Sequence, residues 1–87
     1  MPAKPSAAKR ARQALRRRAR NRAYKSALHT SVKRVELALA AGDKEGARSA
    51  LPAACVRLDK TAGKGVIHRN AAARRKSRLI RRVNAMG

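Results

Sequence analysis

Large apolar residues in this chain recur at helical spacing. Leu28, Val32, Val35 and Leu39 fall at i, i+4, i+7 and i+11, which lines up one face of an α-helix. Ala47, Leu51, Ala54 and Leu58 repeat that spacing. Leu79, Val83 and Met86, with Ile67 and Ala72 before them, form a looser third stripe. Stripes of this kind are core faces rather than ligand boxes. The pattern predicts an all-α fold, an antiparallel three-helix bundle.

Glycine and proline set the boundaries. Pro2 and Pro5 lie in a polar leader over residues 1–6, and Ser6 is the expected N-cap of the first helix. Residues 7–41 contain neither Gly nor Pro and are dominated by Ala, Arg, Lys and Leu, so one long helix is predicted, with Gly42 as its C′ residue. Asp43 caps a second helix over about 44–62. Gly63 and Gly65 then break the chain before a third helix, over about 67–85 and capped by Asn70. Residues 7–87 are read as a single domain. Pro52 falls inside the second helix, where it removes a hydrogen bond and crowds the preceding turn; a kink or a break into two segments is expected.

The predicted lengths are unequal. At 1.5 Å per residue the first helix spans about 52 Å and the others about 25–30 Å each. Its partners therefore cover only the half from about Tyr24 onward. In the other half Leu15 is the lone large apolar residue, and Lys9, Arg10, Arg12, Arg16, Arg17, Arg18, Arg20 and Arg22 occupy all sides of the helix. The prediction is a protruding basic rod.

The core is thin. Of the 44% hydrophobic residues, 20 are Ala; Phe and Trp are absent and Tyr24 is the sole aromatic. An Ala-rich interface removes little area from water to set against chain entropy, so the bundle is expected to be marginal when free. Cys55, the single cysteine, excludes an internal disulfide and a thiolate zinc site, points to a reducing compartment, and reads as a small buried hydrophobe. Large-apolar runs are too short for a membrane span or a signal peptide. The acid-free, Arg-rich residues 1–35 also fit a transit peptide, but its removal would leave too little core to fold.

Charge changes the picture most. Lys and Arg number 24 against four acidic residues, a formal net charge of +20 in 87 residues. The acids are Glu36, Asp43, Glu45 and Asp59, all in the middle of the chain, while residues 1–25 and 60–87 are basic and acid-free. Such a chain repels itself unless an anion cancels the charge, and phosphate neutralisation yields affinity through counterion release. A solvated face of mixed sign would be the bland reading; two acid-free arms make nucleic acid the expected partner.

No catalytic grouping is legible. The four acids read as caps and ion-pair partners, and His29 and His68 lack ligands at metal spacing. No cofactor, metal, small-molecule substrate or enzymatic activity is expected. Phosphate contact is the chemistry that remains, with Arg16-Arg17-Arg18 the densest run, since a guanidinium binds phosphate bidentately. A second signal is Gly63-Lys64-Gly65 followed by His68-Arg69-Asn70 and Arg74-Arg75-Lys76: a glycine-flanked turn feeding a helix N-terminus suits an anion. The scarcity of aromatics argues against a base-stacking platform, and no helix-turn-helix or zinc-finger spacing is present. Backbone and shape contacts remain, to folded RNA or, on charge alone, to DNA.

Longer stretches then resemble a family. Ser6-Ala7-Ala8-Lys9-Arg10, Arg17-Arg18-Ala19-Arg20-Asn21-Arg22 and Lys25-Ser26-Ala27 are similar to the opening helix of the twentieth small-subunit ribosomal protein of bacteria. Ala41-Gly42-Asp43-Lys44 resembles its first interhelical turn, and Lys64-Gly65-Val66-Ile67-His68-Arg69-Asn70-Ala71-Ala72-Ala73-Arg74-Arg75-Lys76-Ser77-Arg78-Leu79 the signature opening its third helix. The resemblance implies a three-helix bundle in the body of the small subunit, in the cytoplasm. It also implies direct binding to the 5′ domain of 16S ribosomal RNA early in assembly, contact with the long penultimate stem, and neighbouring small-subunit components as partners. Carried over by position, the RNA-facing residues are Lys9, Arg10, Arg17, Arg18, Asn21, Arg22, Lys25, Lys64, His68, Asn70, Arg74, Lys76 and Ser77. The rod's own pattern adds Arg12, Arg16 and Arg20, and the third helix Arg69, Arg75 and Arg78. The rival readings are a DNA-compacting protein, which needs the charge but not the Gly65–Leu79 pattern, and a membrane-active helix, which needs a bulky apolar face that residues 6–25 lack.

Overall fold

The computed structural model describes residues 5–87, which form α1 (Pro5–Ala40), α2 (Lys44–Gly63) and α3 (Arg69–Asn84). α1 begins earlier than the sequence suggested. Pro5 is its first residue, where a missing N–H is harmless and the fixed φ already suits a helix, so Ser6 lies inside the helix and is not its cap. Of the leader, residues 1–4 lie outside the described residues.

Both interhelical turns use a left-handed glycine. At the end of α1, Gly42 (φ 69°) donates to Leu39 O, and Asp43 N donates to Ala38 O at 2.9 Å. At the end of α2, Gly65 (φ 73°) donates to Ala62 O, and Val66 N to Thr61 O at 3.1 Å. This paired pattern satisfies the last carbonyls of a helix and reverses the chain. Gly63 is still helical. Asp43 caps α2 by accepting from Gly46 N at 2.9 Å. α3 is capped differently from expectation. His68 is its N-cap, and its Nδ1 accepts from Asn70 N at 3.1 Å, so Asn70 is a helical residue rather than the cap. An imidazole can fill this role because an unprotonated ring nitrogen is an acceptor like a carboxylate oxygen.

α2 runs through Pro52 without the expected break. Pro52 is exposed, on the side of the helix away from Ala54 and Leu58, so the carbonyl that loses its donor faces water.

α2 is the central helix. It packs against both α1 and α3, which scarcely meet each other. The core comprises Leu28, Val32 and Val35 from α1, Ala47, Ala54 and Leu58 from α2, and Ala72, Leu79 and Val83 from α3. Leu39, Leu51, Ile67 and Met86, expected in the stripes, are partly buried around it. Thr61 is fully buried although polar; its hydroxyl donates to Arg57 O at 2.6 Å, which removes the penalty of burying an unpaired group. Cys55 is half-buried at the margin and not part of the core. Two exposed ion pairs tie α3 to its neighbours: Lys76 to Asp59 of α2 at 3.2 Å and Arg82 to Glu36 of α1 at 4.0 Å.

The molecule is elongated. Its extents are 65 × 21 × 15 Å and its radius of gyration is 17.6 Å. A compact chain of this length would have about 12 Å. The excess is the free half of α1.

Candidate nucleic-acid interface

The interface is built by a change of chemistry along one helix face. Continued toward the N-terminus at helical spacing, the stripe of Val35, Val32 and Leu28 passes through Tyr24, Asn21, Arg17, Ala14 and Arg10. The face that is apolar inside the bundle becomes cationic outside it. From Lys9 to Arg20 every residue is exposed, including Leu15 at 64%. Cover starts where the Arg20 guanidinium reaches Lys64 O, at 3.5 Å, in the turn after α2. The preceding segment, Pro5–Ala19, overhangs the bundle by about 22 Å.

Of the predicted residues, Lys9, Arg10, Arg12, Arg16, Arg17 and Arg18 stand on this overhang, distributed around it. None is ion-paired among the described residues, where the two pairs of α3 are the only ones. Arg18, Asn21, Arg22 and Lys25 line a shallow cleft at the root of the rod. Three cations around one amide supply the kind of donors that a phosphate and its ester oxygens accept from.

α3 sorts the second group of predicted residues by direction. Asn70, Arg74 and Ser77 share the face opposite Ala72, Leu79 and Val83, and all three are exposed. Arg81 extends that stripe by one turn, with its Nε donating to Ser77 O at 3.4 Å. Sequence reasoning passed over Arg81; the i, i+4, i+7, i+11 spacing from Asn70 would have found it. Arg75 and Arg78 point elsewhere, lining with Val32, Glu36, Leu79 and Arg82 the groove between α3 and α1. Lys76 is half-buried and engaged with Asp59, so it stitches α3 to α2 as well as presenting charge. Arg69 and His68 border an open recess with Ala62, Gly65, Val66 and Ile67 at the α2–α3 turn. With Nδ1 committed to the cap, His68 has Nε2 left as an outward donor. Lys64 is exposed in the same turn.

The predicted residues thus occupy three places rather than one: the rod, the turn at its root, and the outer face of α3. No helix among the described residues is long and apolar enough to cross a membrane. Among the described residues the one buried polar side chain, Thr61, has its hydrogen bond, so the core they form holds no polar site.

A small helical bundle whose longest helix leaves it as an unpaired cationic rod defines a structural protein facing a polyanion. The sequence model of the family described as ribosomal protein S20 matches residues 2–84. The small ribosomal subunit protein bS20 of Thioalkalivibrio sulfidiphilus is 57% identical over 81 residues, covering 93% of this chain and 94% of that protein. That of Shouchella clausii is 51% identical over 86 residues, covering 99% and 98%. The chain belongs to the ribosomal protein S20 family. It is accordingly a structural component of the ribosome's small subunit in the bacterial cytoplasm, and not an enzyme.

Proposed function

We propose that this protein binds 16S ribosomal RNA directly, in its 5′ domain, and holds RNA helices together during assembly of the small subunit, reaching the long penultimate stem as well. The observation that carries the reading is the change in α1 from a buried apolar stripe to a naked cationic one, with cations on every side of the overhang. A helix charged on one side serves one phosphate backbone; one charged all round serves a crevice between several. Entering such a crevice, Lys9, Arg10, Arg12, Arg16, Arg17 and Arg18 would neutralise the repulsion that holds the backbones apart, releasing their counterions. Arg20, Asn21, Arg22 and Lys25 would fix the depth of insertion. Lys64, His68, Arg69, Asn70, Arg74 and Ser77 would grip a second segment from the turn and outer face of α3, with Arg75, Lys76 and Arg78 at its margin.

Support comes from the names of the relatives, which place them in the small ribosomal subunit, and from the lack of aromatic surface, which leaves shape and backbone as what is read. The test is a competition among a 16S 5′-domain transcript, duplex DNA and transfer RNA across a salt series. Saturable 1:1 binding to the transcript with local footprints, persisting at salt where the other two have dissociated, is the expected result. Parallel weakening of all three would mean charge alone is acting, and would favour DNA compaction instead.

A further inference from the structure

Tyr24 stands where the rod meets the bundle. It is half-buried, and with Ala23 and Ala27 of α1 and Arg57 of α2 it lines an open, shallow recess. Two features of this recess bear on what it could receive. The Arg57 side chain is half-buried beside an aromatic ring, yet it has no acidic partner and no side-chain hydrogen bond among the described residues. The Tyr24 hydroxyl likewise takes no part in any hydrogen bond among them. Both residues are only half-buried, and no buried side-chain polar atom among the described residues lacks a partner, so their polar ends are open to solvent and accessible to an outside group. Ala23 and Ala27 complete the lining.

We propose that this recess receives one unstacked nucleobase of the bound RNA. The base would lie against the Tyr24 ring and the Arg57 guanidinium plane, with its polar edge toward the phenol hydroxyl. The proposal rests on the RNA-binding reading above and adds a base contact to it. Chemistry selects the occupant. A flat aromatic face matches both the ring and the planar cation, which stack on bases; a phosphate would use Arg57 alone and leave Tyr24 and the alanines without a role. Charge selects it too: Arg20 lies one turn before Tyr24 on the same side of α1 and touches the Lys64 carbonyl, so a backbone cation flanks the recess. One ring makes a single-nucleotide site, consistent with a protein otherwise lacking a stacking surface.

The chain has one Tyr and no Trp, so its tyrosine emission reports on this recess alone. The full-length protein is titrated with the 16S 5′-domain transcript and, separately, with heparin, a polyanion without bases; complex formation is followed by mobility shift. The expected result, after correction for the transcript's own absorption, is strong quenching of Tyr24 by the transcript and little by heparin at equal saturation. Equal changes with both, or none with the transcript, would overturn the inference. Tyr24→Leu should weaken transcript binding about 5- to 20-fold, and Tyr24→Phe should keep affinity within about 2-fold. If the wild type binds the transcript no better than duplex DNA, the RNA reading itself fails. If binding is selective but Tyr24 stays bright, only the base site falls.

Discussion

The two halves of α1 share a backbone conformation and almost nothing else. From Leu28 to Val35 the helix is held by its neighbours: Leu28, Val32 and Val35 are nearly or fully buried against α2 and α3. From Lys9 to Ala19 nothing packs on it, and alanine and arginine supply intrinsic propensity in place of tertiary support. The contrast teaches that a helix can be continuous in geometry while its stability has two sources. The covered half is stable because water is excluded from one face. The free half lacks that support: its like charges repel at helical spacing and an unpacked helix of this length is marginal in water, so a bound anion is expected to firm it.

That division can be broken from either side. Replacing Arg10, Arg16, Arg17 and Arg18 together by Gln should weaken binding to the 16S 5′-domain transcript by about two to three orders of magnitude and flatten the log–log salt slope by about 3. Filter binding over a salt series checks both, and the bundle's melting temperature should not fall. Leu58→Ala attacks the other side. Leu58 is among the largest fully buried side chains, and truncation should destabilise the bundle by about 3 kcal/mol, much of what so small a core holds, as read by thermal or urea unfolding. In hydrogen exchange of the free protein at low salt, amides of residues 8–18 should exchange far faster than those of 28–36, and should slow when RNA is added. Full protection of the rod without RNA would show that it needs no anion. The smallest effect concerns the turn that reverses the chain. Asp43→Ala removes the acceptor for Gly46 N and should cost about 1 kcal/mol in unfolding, leaving the salt slope of RNA binding unchanged.

Much of this architecture was legible before any coordinates. The apolar stripes predicted the core faces, because burial of a helix requires apolar residues at helical spacing and this chain has few others. Gly42 and Asp43 serve as turn and cap, as their residue types predict. Ser6 and Asn70 lie inside helices for different reasons: Pro5 suits the first helical position and draws Ser6 into α1, while the His68 ring nitrogen caps α3 in place of Asn70. Pro52 was read from its local penalty, whereas its exposed placement lets water take up the orphaned carbonyl. For the interface, the rod was visible as a stretch with cations on every side. Sorting the α3 residues was not, because Lys76 and Arg74 look alike in a sequence until Asp59 is seen to lie beside one of them.

The sequence by itself determined three helices, the unequal length of the first, and where its character turns from apolar to cationic. These depend on residue type and periodicity, which are local. Tertiary structure alone decided that α2 is the central helix, that Thr61 belongs inside, that Lys76 is tied to Asp59, and that Tyr24 and Arg57 line one open recess. Those outcomes depend on which residues meet across more than 15 positions of chain. Periodicity says which side of a helix is buried; only packing says what it is buried against.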